Sequence, residues 1–263
     1  VAVTRAAVAM AWSLACSGSA TPTPTPTPES GSVSRGSGSG SDSGPVSGSG
    51  DLQVHVEWHD VPTALRASPG RTACNTARPA ALAPSTTWGI PDVVVLVDAG
   101  APSAQDARVV ARRCELAPAL QVVGTGATLE VASEAEQPLA LGLDRYAAPD
   151  TVVAAGAALG SATRMPIQLP VIGHAVAIAL AEAVVDAVTA PGSDEDAAWV
   201  VAWPHAAAVT DRDGVAALRG LPAGGHAVVA WLPPRAGQPA RVARGSATVV
   251  AGQLADATLS IAP

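Results

Sequence analysis

The stretch that decides the fold is residues 209–232, V-T-D-R-D-G-V-A-A-L-R-G-L-P-A-G-G-H-A-V-V-A-W-L. It predicts two strands set between tight turns. Asp211-Arg212-Asp213-Gly214 is the first turn: an Asp side chain bonds the backbone amides just ahead of it, and Gly supplies a positive φ. Val215, Ala217 and Arg219 then alternate with Ala216 and Leu218, the period of a strand with one buried face. Leu221-Pro222-Ala223-Gly224 turns the chain again, Pro222 presetting one dihedral and Gly224 permitting the other. A second, more apolar strand runs from His226 to Leu232, so the whole reads as a hairpin.

Working outward, the bulk composition sets limits. A chain of 263 residues has room for one large domain or two small ones. Hydrophobic residues make up 48%, much of it Ala and Val, yet aromatics are only 3% and Phe is absent, so small side chains are expected to build the core. Every Lys/Arg position is Arg, a compositional bias without a physical need behind it. A net charge of −7 argues against binding DNA or anionic lipid by electrostatics, and the densest basic spot is only Arg112-Arg113. Nucleic acid is not an expected partner.

Residues 1–16 have the form of a short signal peptide: Arg5 as a positive start, an apolar stretch over 6–14, and a small Ala15 before Cys16. The apolar stretch is about half of what a helix needs to span a bilayer. Ser13-Leu14-Ala15-Cys16 is similar to a bacterial lipobox, with Ser where Leu usually stands. The resemblance implies a Cys16 that is diacylated and anchors the chain; the plain alternative is a cleaved signal peptide with an incidental Cys. Residues 17–50 are almost wholly Ser, Gly, Thr and Pro, with four Thr-Pro repeats at 21–28. Such a segment buries too little apolar surface to fold and is expected to be a disordered spacer. Cys74 and Cys114 remain, and in an exported chain such a pair reads as a disulfide, worth roughly 4 kcal/mol by loop entropy.

The folded part starts near Asp51. L-Q-V-H-V-E-W-H alternates strictly, with Leu52, Val54, Val56 and Trp58 on one face and His55, Glu57 and His59 on the other. The His-x-Glu-x-His row invites a metal reading, but two His four residues apart on a strand lie about 13 Å from each other. A polar, solvent-facing strand is the expectation. Residues 60–91 read as a long irregular connection, 93–97 as a central strand buried on both faces, and 108–116 as another strand. Residues 120–123, 127–132 and 139–143 are further strands, and 144–170 a loop region with one apolar stretch. Residues 174–188 fit either a strand or an Ala-rich helix, and the β-rich surroundings favour a strand. An acidic loop at 192–196 precedes a strand at 198–203, and strands near 241–250 and 254–261 finish the chain. Turn signals every 8–12 residues with almost no helix predict an all-β sandwich.

The stretch at 209–232 resembles the closing hairpin of secreted carboxypeptidase-regulatory-like, or transthyretin-like, modules. More broadly, residues 51–232 resemble a group of bacterial periplasmic cupredoxin-like proteins. The landmarks come in the same order: Cys74, P-D-V-V-V-L-V, C-E-L-A-P-A-L-Q-V-V-G-T-G-A-T-L-E-V with Cys114, Met165-Pro166, W-V-V-A-W-P-H-A-A-A-V-T-D, then the hairpin. The resemblance implies a Greek-key, cupredoxin-like β-sandwich over 51–205, with 206–263 as carboxypeptidase-regulatory-like strands of the same or a separate domain. It also locates what is missing. The segment expected to supply one copper His is Glu134-Ala135-Glu136-Gln137-Pro138-Leu139, and the segment expected to supply Cys, His and Met is 190–198; neither contains those residues. Asp194-Glu195-Asp196, Asp211 and Asp213 lack the spacing of a Ca²⁺ loop.

No G-x-S-x-G elbow, H-E-x-x-H helix or third Gly after Gly124-Thr125-Gly126 points to catalysis or nucleotide binding. His174 and His226 each head an apolar strand, as end caps. The expectation is a non-catalytic, exported lipoprotein of the cell envelope acting as a structural or binding module: no cofactor, no metal, a membrane contact through Cys16, and an unidentified protein or glycan partner. A redox or copper-handling protein with an atypical site is the alternative of another class.

Overall fold

A computed structural model describes residues 48–66, 82–112, 115–146, 162–190, 193–235 and 238–261, with the backbone alone for 193–196. The expected signal peptide with Cys16, residues 17–47 of the expected spacer, Cys74 and Cys114 lie outside the described residues, while Ser49 and Gly50, expected at the end of that spacer, begin the first strand. Within them sixteen strands and one short helix, α1 (Thr63–Arg66), account for the regular structure. None of the described helices is long and apolar enough to cross a membrane.

Alternation decides how these strands layer. β1 (Ser49–Glu57) is the centre of a three-stranded sheet, antiparallel to β13 (Val215–Pro222) and parallel to β16 (Leu254–Ser260). A four-stranded antiparallel sheet faces it, in the order β12 (Ala207–Val209), β2 (Val94–Val97), β14 (Gly224–Leu232), β15 (Arg241–Val249). Leu52, Val54, Val56 and Trp58 meet Val93, Val95, Val228 and Ala230 between the two, in the pattern expected for β1. Burying each such side chain contributes about 1.5–3 kcal/mol before the entropy of ordering is subtracted.

Between β2 and β12 the chain inserts a second sandwich. One sheet runs β4 (Glu115–Ala117), β3 (Ala107–Arg112), β6 (Thr128–Ser133), β9 (Ala175–Ala179). The other runs β5 (Leu120–Gly124), β11 (Ser193–Trp203), β10 (Val184–Ala190), β7 (Leu139–Tyr146), β8 (Thr163–Leu169). Both are mixed, with β3 parallel to β6 and β5 parallel to β11. Val109, Leu129 and Val131 pack on Leu143, Val188 and Val200 between them.

A third apolar layer joins the two sandwiches. Val94, Leu96 and Trp231 point out of the first, and Val185, Trp199 and Val201 out of the second. Tyr146 stacks on Trp199 at 6.1 Å and 29°, and Trp199 meets Trp231 edge-on at 5.8 Å and 80°. The four sheets therefore stack in series. This explains the unbroken V-V-L-V of β2: alternate side chains enter two different cores.

Several expectations change. β13 and β14 do not form a hairpin: β13 pairs with β1, while β14 pairs with β2 and β15, so the turn at Ala223 is an arch between facing sheets. Alternation fixes which face of a strand is buried, not which strand takes its amides. The single strand expected at 108–116 is two, β3 and β4, antiparallel with Arg112 opposite Glu115. The expected loop 144–170 contains the end of β7 and all of β8, whose Pro166 is tolerated because β8 is an edge strand. The ambiguous 174–188 segment is strand, divided into β9 and β10 in different sheets. Residues 193–196, expected as an acidic loop, begin β11. Strands on both sides of residue 205 share sheets, β1 with β13 and β2 with β12.

Candidate binding face

The outer face of the three-stranded sheet carries the most organised polar surface. With the even-numbered residues of β1 in the core, Gln53, His55 and Glu57 point outward. Register sets Val215 and Ala217 beside His55 and Gln53 on one flank, and Asp256, Thr258 and Ser260 beside Gln53, His55 and Glu57 on the other. His59 continues the row just past the strand end. Its Nε2 lies 2.7 Å from Glu57 Oε2, while His55 Nδ1 is 3.8 Å from Glu57 Oε1. The other His55 ring nitrogen lies 3.2 Å from the Asp213 carbonyl oxygen.

Trp88 closes this end of the face. It is 41% exposed, and its φ of 64° lies in the left-handed region, uncommon for a large side chain. A tight loop enforces that conformation. Ser85 Oγ accepts from the amides of Thr87 (3.2 Å) and Gly89 (3.0 Å), Trp88 N–H donates to Ser85 O (3.0 Å), and Ser85 N–H donates to Gly89 O (2.9 Å). Trp58 N–H donates to Trp88 O at 3.1 Å, which ties the loop to β1. The Trp88 ring lies 5.7 Å from the His59 ring.

Packed directly against this loop is the predicted Asp211 turn. Asp211 Oδ1 accepts from the amides of Asp213 (2.9 Å) and Val215 (3.0 Å), and Gly214 has a φ of 78°. Gly214 O accepts from Val56 N–H at 2.8 Å, seating the turn on β1. An indole, two imidazoles and a carboxylate are thus held on rigid backbone at the edge of a flat polar sheet. Of these, the His55–Glu57–His59 row was legible as a solvent-facing strand. Trp88 was not, because residues 60–91 read as irregular; its signal is Ser85-Thr86-Thr87 followed by a lone Trp and a Gly.

The places where the resemblance puts copper ligands are arranged differently. Glu134, just after β6, accepts from Arg112 Nε at 2.9 Å, and Glu115 lies 3.9 Å from Arg112 NH1. The Arg112 guanidinium is held above its ordinary pKa, first by the Glu134 hydrogen bond and then by its charge. Met165, on the edge strand β8, pairs with Leu143 of β7 and packs on the second core. Side chains of 194–196 are outside the described residues. Among the described residues no three His, Cys, Asp or Glu side chains gather to hold a metal. His174 is exposed at the start of β9, and His205 lies 6.1 Å from the Trp203 ring. His226 is buried, with Nε2 2.7 Å from Pro222 O and Nδ1 3.6 Å from Asp98.

One recess lies at the other side of the first core, lined by Trp58, Leu65, Leu82, Leu232, Arg235 and Arg241 among others, with a volume of about 10 Å³. That is room for one water. Arg241 sits over the Trp58 ring at 4.8 Å, and burial lowers the Arg235 pKa against the pull of Asp92 at 3.3 Å. The recess is a packing feature of the sandwich rim.

Fold and face together define an all-β protein of stacked sandwiches with an open polar sheet face. No family model, no curated protein and no solved structure matches the chain.

Proposed function

We propose that this chain is a non-catalytic binding module of the bacterial cell envelope, tethered by a lipidated Cys16 and presenting its first sheet outward. The observation that carries the binding reading is the rigid end of that face: Trp88 held at positive φ beside the Glu57–His59 pair. Residues held in sparsely populated backbone regions concentrate where a side chain must be presented to something. The tether rests on the lipobox-like Ser13-Leu14-Ala15-Cys16 and the Ser/Gly/Thr/Pro spacer behind it. The cupredoxin-like and carboxypeptidase-regulatory-like resemblances, the Greek-key connectivity and a Cys74–Cys114 disulfide belong to the same reading: an electron-transfer scaffold reused for binding.

Fractionation tests the tether: Cys16→Ser is expected to move the protein from the membrane fraction to the soluble one, and unchanged fractionation defeats the anchor. Binding to isolated envelopes, compared between the full chain and its Trp88→Asn variant, tests the face. Non-reducing mass analysis settles the disulfide, whose presence lowers the mass by two hydrogens.

A further inference from the structure

We propose that the ligand of this face is an uncharged oligosaccharide, an inference that rests on the binding-module reading above. Three features narrow the chemistry. The first is the exposed Trp88 indole, carried on backbone that the Ser85–Gly89 loop holds, which offers an apolar ring surface to the C–H face of a sugar. The second is the mix of groups along β1 and β16. Gln53, Thr258 and Ser260 offer donors, and Glu57, Asp256 and the same hydroxyls offer acceptors, as a polyol needs.

The third is charge. Glu57, Asp256 and the neighbouring Asp213 outnumber the exposed Arg219 of β13 and disfavour an anionic ligand, in a chain whose net charge is −7. Other occupants fit less well. A peptide strand adds to a sheet edge, whereas these groups lie on a face. A protein partner needs an apolar centre, and here the flanking apolar groups are the small Val215 and Ala217, with Leu254 at the far end opposite Asp51. From Asp51 to Glu57 the face runs about 20 Å, long enough for several sugar rings.

The test titrates the full chain with maltohexaose, cellohexaose and mannohexaose, each to about 10 mM, with an oligogalacturonate as the anionic control. Tryptophan fluorescence and the indole N–H resonances are followed. At least one neutral hexasaccharide is expected to saturate, to perturb the Trp88 resonance, and to bind better than the anion. Trp88→Asn removes the ring while keeping a residue that tolerates left-handed φ, and it is expected to weaken binding about tenfold or more. Should that variant not fold, Glu57→Gln and Thr258→Val, both on the solvent side, carry the same test; each is expected to weaken binding severalfold. No neutral saccharide bound at the highest concentration, equal binding of the anion, or affinities unchanged in the folded variants overturns the proposal. If the full chain binds isolated envelopes and Trp88→Asn does not, while no saccharide binds, the face stands and the glycan falls. If neither binds, both fall.

Discussion

Gly214 and Gly89 show how single residues hold the face together. A Cβ on Gly214 would lie 2.5 Å from Gly89 Cα and 2.5 Å from Ile90 N, and its φ of 78° already favours glycine. Gly214→Ala combines backbone strain with a clash against backbone that cannot yield, and is expected to destabilise by about 2–4 kcal/mol. Chemical denaturation measures it, and a change within about 0.5 kcal/mol contradicts the close approach. Asp186 is the other residue-scale pin. It is fully buried in the second sandwich and receives Arg145 through two bonds of 2.9 and 2.7 Å. The bond to Asp186 also holds the Arg145 guanidinium above its ordinary pKa. Removing the carboxylate alone leaves a partly buried cation without its main partner, so Asp186→Ala is expected to cost about 3–5 kcal/mol. The double change Arg145→Met, Asp186→Leu is expected to cost less than either half, and denaturation curves of the three variants decide it.

Tyr146 adds a pH prediction. Burial, then the negative charge of Asp144, raises its phenol pKa, with Arg164 opposing. As the chain has one tyrosine, absorbance near 295 nm (a phenolate band) reports this group alone. The midpoint in the folded protein is expected above the ordinary value of about 10. Because the folded pKa exceeds the unfolded one, the unfolded chain loses its proton first as pH rises. The stabilisation is complete below about pH 10 and declines as pH climbs through the folded pKa. A midpoint at or below the ordinary value contradicts the burial of Tyr146 against Trp199.

At the scale of elements, what the sequence revealed follows from what a period of two encodes. The buried row Leu52, Val54, Val56, Trp58 and the doubly buried β2 were both readable, because burial leaves its mark on which residues are apolar. The partners were not readable. β1 pairs with β13 and β16, far along the chain, and no local feature of β1 states that distance. The arch at Ala223 reads as a hairpin in the sequence for the same reason: Leu218 and Val228 share one core in either arrangement. The row at His55, Glu57 and His59 was visible as an outward face, whereas Trp88 depends on a backbone conformation that only the Ser85 loop imposes. The joining layer makes a further prediction. Trp231 is 1% exposed, and its Nε1 has no hydrogen-bond partner among the described residues. Trp231→Phe loses volume but removes an orphan donor, so it is expected to cost under about 1.5 kcal/mol, against about 3–5 for Trp231→Ala. Equal losses in thermal or chemical denaturation contradict that account of the layer.

At the scale of the molecule, one sandwich is interrupted between β2 and β12 by a complete second one, and the two are fused through Val94, Leu96, Trp199, Val201 and Trp231. This shared layer makes the first sheet one side of a thick, stiff body, so its face keeps its geometry with no partner bound. A chain whose sandwiches met only through their connections would hold that face less firmly. Differential scanning calorimetry of the full chain and of Trp199→Ala tests this most directly. One transition is expected, with equal calorimetric and van't Hoff enthalpies, shifted as a whole by roughly 6–20 °C in the variant, from about 3–5 kcal/mol lost at 2–4 °C each. Two transitions, with Trp199→Ala lowering one and leaving the other in place, would contradict it.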